Sequence, residues 1–239
     1  MEAVVVEGVA KTFHLRHTRS LKETFVWMAK RRDVGNDFRA LDSVSVRIEQ
    51  GETVGLLGLN GSGKSTLLKL ISGVMRPDEG LVRVRGKVAG LIEVGAGLHP
   101  DLTGRENVYL NGSILGMSRA EIDAKFSSIV DFSEIERFID TEVKFYSSGM
   151  FLRLAFSVAV HTEPDVFLVD EILAVGDEPF QQKCLRRIEE LQHEGRTLVI
   201  VSHDLDVVER LCTRGLVLEQ GRLVVDADVT AAVQHLRRR

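Results

Sequence analysis

Short, densely apolar runs alternate along this chain with longer stretches in which apolar residues recur every three or four positions. Val4–Val6, Leu41–Ile48 and Thr53–Leu57 read as strands, the second with clean apolar–polar alternation. The turn Arg76-Pro-Asp-Glu-Gly80 precedes two further short strands, Leu81–Val84 and Val88–Leu91. Thr103/Glu106, Ser118/Glu121 and Ser133/Glu136 each have the spacing of a capping box, so three helix starts are expected in close succession. They predict a helical lobe, approximately residues 101–160, set between sheet strands, with another helix starting near Met150. Val166–Val169 and Thr197–Val201 have the nearly continuous apolar character of strands buried on both faces. Leu216–Leu218 and Arg222–Val225 form a hairpin across Glu219-Gln-Gly221, and the basic end Arg237–Arg239 is expected to fray. The order of elements predicts an α/β fold.

Between the strand Thr53–Leu57 and the helical run Thr66–Ile71 stands Gly58-Leu-Asn-Gly-Ser-Gly-Lys-Ser65. This is the strand, glycine loop, helix context of a phosphate-binding loop, and it implies a nucleoside triphosphate. Gly58, Gly61 and Gly63 let backbone N–H groups converge on phosphate oxygens without a Cβ in the way. Asn60 and Thr66 belong to the same loop and helix start, whose unpaired donors favour an anion. Lys64 is expected to reach the β- and γ-phosphates and Ser65 to ligate Mg²⁺. A second apolar strand ends at Asp170, the natural magnesium partner, and the adjacent Glu171 can polarise an attacking water as general base. A third ends at Ser202-His203, where His203 either senses the γ-phosphate or caps the following helix.

Composition narrows the setting. A net charge of -4 argues against a globally basic nucleic-acid binder. Cys184 and Cys212 supply neither a metal spacing nor a disulfide framework, and the other six histidines show no ligand spacing. No run approaches the roughly 20 apolar residues of a membrane span, and the N-terminus lacks a secretory pattern, so a cytosolic protein is expected. A basic segment between His14 and Arg39 carries apolar residues at helical spacing over Leu21–Met28. It reads either as a solvated surface helix or as one that docks on a membrane surface or partner.

With these motifs in hand, the chain resembles the nucleotide-binding subunit of ATP-binding-cassette transporters over nearly its whole length. Tyr146-Ser-Ser-Gly-Met150 stands where that family has its Leu-Ser-Gly-Gly-Gln signature. The resemblance implies a single domain, a P-loop ATPase core with an antiparallel β subdomain and an inserted helical subdomain, using ATP and Mg²⁺. It also implies that Ser147, Ser148 and Gly149 contact the γ-phosphate held by a second copy in a homodimer, and that Asp177 belongs to the loop crossing between copies. Glu93 occupies the place of the glutamine that joins the magnesium site to the membrane partner, and His203 that of the switch histidine. For adenine stacking the resemblance points to the first loop, with Phe13 ahead of His14. Leu91–Gly112, Tyr146–Ala159 and Val169–Asp177 resemble one subgroup, the exporters of lipid-linked polysaccharides such as O-antigens, teichoic acids and cell-wall galactans. For that subgroup the enlarged loop at 14–39 implies a membrane-facing element, and the partner is a polytopic transmembrane subunit in two copies. The glycan is then reached through that partner, from the cytoplasmic face of the membrane. The chain ends before any carbohydrate-binding domain, as in a version lacking one or an excised ATPase domain. An importer or drug-exporter subunit, or a soluble cassette ATPase acting on ribosomes or nucleic acid, are the competing readings.

Overall fold

The computed structural model describes residues 1–15, 36–90, 97–170 and 177–238. The helix expected at Leu21–Met28 lies outside them. Two sheets organise the chain. β1 (Glu2–Leu15), β2 (Asn36–Glu49) and β4 (Glu79–Val84) form an antiparallel sheet in the order β2-β1-β4. The central sheet runs β5-β6-β7-β3-β8-β9, where β3 is Thr53–Leu57, β5 Val88–Gly90, β6 Val166–Asp170, β7 Thr197–Val201, β8 Arg214–Glu219 and β9 Arg222–Asp228. Its first five strands are parallel, and β9 returns antiparallel as the hairpin partner of β8. Strands β1 and β2 are far longer than their apolar centres, and their paired ends take in His14 and Asp37–Arg39, which the sequence places in the inserted loop.

Burial on both faces explains the unbroken apolar runs. Val166 and Leu168 of β6, with Val199 and Val201 of β7, face a core shared with the antiparallel sheet and α1 (Lys64–Ile71). Phe167, Val169, Leu198 and Ile200 point the other way, onto α5 (Glu178–His193), α6 (Leu205–Leu211) and α7 (Val229–Arg237). Alternate residues of one strand therefore close two separate cores. Contact at the sheet is close: a Cβ on Gly215 of β8 would lie 2.4 Å from the Cβ of Ala232 on α7.

A third core belongs to the helical lobe. α2 (Gly104–Ile114), α3 (Arg119–Ser133) and α4 (Ser148–Val160) enclose Val108, Ile122, Ile129, Leu154 and Val158. α4 faces both ways, giving Leu154 and Val158 to the lobe and Phe156 and Val160 to the sheet, which accounts for its almost wholly apolar sequence.

Two of the three expected capping boxes form, at Thr103/Glu106 and Ser118/Glu121. The third does not. Ser133 is the last residue of α3, fully buried, and its hydroxyl donates to the Val130 carbonyl at 2.7 Å. Glu134 then ends the helix in the left-handed region (φ 58), leaving only a short 3₁₀ turn at Glu136–Phe138. The spacing was present, but the tertiary need to bury Ser133 among apolar neighbours decided its conformation. The basic terminus also departs from expectation. Arg237 remains helical and pairs with Asp206 at 2.8 Å and Glu209 at 3.4 Å, holding α7 against α6.

These caps can be separated by substitution. Ser118→Ala removes the acceptor for the Glu121 N–H and is expected to cost about 1 kcal/mol. Ser133→Ala costs less, because the Val130 carbonyl keeps its bond from the Glu134 N–H. Denaturant unfolding followed by far-UV circular dichroism checks the order; equal losses would restore Ser133 as a cap.

Candidate active site

Parallel strands deliver their C-terminal ends to one edge of the sheet. β3 runs into Gly58, β6 ends at Asp170, and β7, which lies between them, leads into Ser202 and His203. Three sites far apart in sequence meet for that topological reason.

The loop itself is shaped by glycine. Gly63 stands at the N-cap of α1 with φ 109 and makes no side-chain cap hydrogen bond. A Cβ on Gly63 would stand 2.7 Å from the Ala40 carbonyl oxygen, and one on Gly58 2.4 Å from that of Leu218. Both positions require glycine for space as well as for dihedral angle. A cleft of about 250 Å³ runs over the loop from Asn60 through Gly61, Gly63, Lys64 and Ser65 to Thr66, with the half-exposed Phe38 on its wall. Lys64 is buried, and its Nζ donates to the Gly58 carbonyl at 2.8 Å and that of Leu59 at 3.3 Å. The cation thus lies back across its own loop.

A second cleft, about 460 Å³, is lined by Gly58 and Asn60 on one side and Ser202 and His203 on the other. The alternative role for His203, capping the next helix, is filled instead by Asp204, whose Oδ1 accepts from the N–H groups of Asp206 at 3.0 Å and Val207 at 3.2 Å. Asp170 is half-buried, paired in register with Val201 of β7. Glu171 and Glu93 lie outside the described residues.

Sequence reasoning missed two contributors. Phe13 and Phe38 are register partners on β1 and β2, so their side chains share one face of the sheet. Phe38, not Phe13, is the ring that lines the loop cleft. The second is Gly221, in the two-residue turn Gln220-Gly221, both with positive φ (46 and 79). Its N–H donates to the Ser62 carbonyl at 3.0 Å, and its carbonyl accepts from the Asp42 N–H at 2.8 Å. A Cβ there would meet the Ala40 oxygen at 2.7 Å, so this turn is wedged directly beneath the phosphate loop. Read in one dimension, Gly221 is only a hairpin glycine.

Tyr146–Gly149 lie on the other lobe. Ser147 caps α4, and its Oγ accepts from the Met150 N–H at 3.2 Å, which leaves the hydroxyl proton available to an outside acceptor. Ser147 and Ser148 are exposed, and none of Ser147, Ser148 or Gly149 lines either cleft. Tyr146 anchors the segment: its hydroxyl donates to the Phe138 carbonyl at 2.7 Å, and burial raises its pKa to about 12. Asp177 stands at the N-cap position of α5, and its carboxylate is held by Arg153 of α4 at 2.5 Å.

Comparison with known proteins agrees with this architecture. The family profile described as ABC transporter matches residues 41–174, more than half of the chain. The chain is 44% identical to the O-antigen export system ATP-binding protein RfbB of Myxococcus xanthus, over 97% of its own length and 55% of that protein's. It is 42% identical to the teichoic acids export ATP-binding protein TagH of Levilactobacillus brevis, covering 98% of this chain and 64% of the relative. It therefore spans between half and two thirds of these relatives. Among solved structures, a dimeric ATP-binding cassette bound to ADP and phosphate superposes with a TM-score of 0.76 at 25% identity, covering 95% of this chain and 98% of that one. Conserved architecture, the matched profile and the sequence identity over almost the entire chain place it in the ABC transporter family.

Proposed function

We propose that this chain is the ATP-hydrolysing subunit of an exporter of lipid-linked polysaccharide, working as a pair of copies on a polytopic membrane partner. The observation that carries the catalytic part is the division of the site. Phosphate loop, Asp170 and His203 converge at one sheet edge, while the Ser147 hydroxyl and the start of α4 are exposed on the helical lobe. Each copy offers half of a triphosphate pocket, and a head-to-tail pair completes two.

The loop fits a polyanion. Its helix start has no side-chain cap, and Gly58 and Gly63 leave no room for a Cβ. Lys64 would exchange the carbonyls of Gly58 and Leu59 for β- and γ-phosphate oxygens, a stronger, charge-assisted pairing. Ser65 hydroxyl and Asp170 carboxylate are hard oxygen donors that suit Mg²⁺, which when bound neutralises charge shared between those phosphates. Glu171 accepts the proton of the attacking water as its oxygen bonds to the γ-phosphorus and ADP departs. His203 donates toward the γ-phosphate from the far wall. Phe38, with Phe13 beside it, offers a ring face to the adenine.

The export assignment rests on relatives named for O-antigen and teichoic acid export, together with the basic amphipathic segment within 14–39. Among the described residues no helix is long and apolar enough to cross a membrane. On this reading a partner supplies the membrane-spanning part, and the chain attaches to its cytoplasmic face.

Reconstituted in vesicles with its membrane partner, the protein is expected to hydrolyse ATP several-fold faster when lipid-linked polysaccharide is present than with the lipid carrier alone. Glu171→Gln should abolish that rate while retaining ATP. Identical rates with and without the glycan would refute the export reading. Gly221→Ala tests the wedge under the loop. Strain there should raise the ATP KM about tenfold with kcat within twofold, an effect of the size expected for a displaced, unstrained-only backbone position. Steady-state kinetics at several ATP concentrations reads the split; an unchanged KM would reduce Gly221 to a simple turn residue.

A further inference from the structure

We propose that Arg153 is a positioning residue that locks the two outward-facing helix starts, Ser147 and Asp177, into one rigid unit. The idea rests on the two-copy reading above and assigns the residue that sets its geometry.

Arg153 lies on α4, six residues beyond the Ser147 cap, with its side chain only 18% exposed. One guanidinium serves three elements. Nη2 donates to Asp177 Oδ1 at 2.5 Å, Nη1 donates to Glu134 Oε2 at 3.0 Å, and the guanidinium carbon lies 4.7 Å from the centre of the Phe180 ring. Phe180 is itself buried, on the first turn of α5. Glu134 ends α3, and its other oxygen accepts from Lys183 of α5 at 2.9 Å. α3, α4 and the start of α5 are thereby tied at a single point.

Asp177 is informative because it stands at an N-cap without capping. No side-chain hydrogen bond from it closes α5; the carboxylate turns to Arg153. Desolvation works to raise its pKa, yet the hydrogen bond and charge of Arg153, with the N–H groups of Phe180 and Asp177, outweigh it and hold the carboxyl below its ordinary value. The shortest contact of the Asp177 carboxylate is thus to the α4 guanidinium. Lysine could not replace it. Only a planar fork spans two carboxylates while resting its face on a ring.

Mechanically, Ser147 and Asp177 then meet the second copy together. Seating one forces the other into place, and closure of the pair is concerted at each pocket. The phosphate loop of the same copy is untouched by Arg153, so nucleotide binding to a single copy does not depend on it.

The test uses the Glu171→Gln background, in which ATP is retained. Arg153→Lys, Arg153→Ala, Asp177→Ala and the Ala/Ala double variant are compared by sedimentation with MgATP and by fluorescent-ATP titration at monomer dilution, with melting temperature as a fold check. Arg153→Lys is expected to weaken ATP-driven pairing about tenfold while single-copy ATP affinity stays within twofold. The double variant should be no worse than the weaker single, since both remove one interaction. Pairing by Arg153→Lys as tight as the background, a parallel fall in single-copy affinity, or multiplicative losses in the double variant would each overturn the proposal. Failure of the Glu171→Gln background itself to pair would instead defeat the two-copy reading, and this proposal with it.

Discussion

A triphosphate can be gripped by backbone only where several N–H groups point inward and no side-chain carbon intrudes. That constraint governs the middle of this structure. Gly63 and Gly221 both press against the Ala40 carbonyl, so the loop, the second strand and the β8–β9 turn share one contact point. Each is held by the others: Gly221 bonds to Ser62 above it and to Asp42 beside it. The donors are fixed before any anion arrives, and little reorganisation remains to oppose binding.

Division into separate cores has a functional consequence. The sheet is buried on both faces, which holds the ends of β3, β6 and β7 at fixed spacing. The helical lobe has a core of its own and meets the sheet core through α4, with Leu115 and, on α3, Phe132 packed against it. It can therefore present Ser147 at a distance from the loop without disturbing it. Polar contacts concentrate at the junction, where Arg153, Glu134, Lys183 and Asp177 tie α3, α4 and α5 beside the packed rings of Phe132, Phe156 and Phe180.

Much of this was legible in one dimension because the chemistry needs contiguous residues. The phosphate loop, the strand ending in Asp170 and the strand ending before His203 are each local patterns, and the strands appear where their apolar runs stand. Ser133 was misread because its spacing to Glu136 satisfies a local rule that burial overrides. Phe38 and Gly221 were missed for a different reason: each gains its role from a partner in another strand or turn, 25 residues from Phe13 in the one case and across the sheet from Ser62 in the other. Arg153 likewise looks like an ordinary helical arginine until α3 and α5 are folded against it.

The central claim is that two copies complete each other's pockets, and mixing broken halves tests it directly. Lys64→Ala spoils the loop of its own copy, and Ser147→Arg spoils what that copy lends to its neighbour. Each variant alone has two defective pockets. A mixed pair has one pocket with both defects and one with neither. The account predicts that two nearly inactive preparations regain ATPase activity when combined, approaching about a quarter of the parent rate if copies pair at random and pockets turn over independently. A mixture no more active than the sum of its components would contradict it.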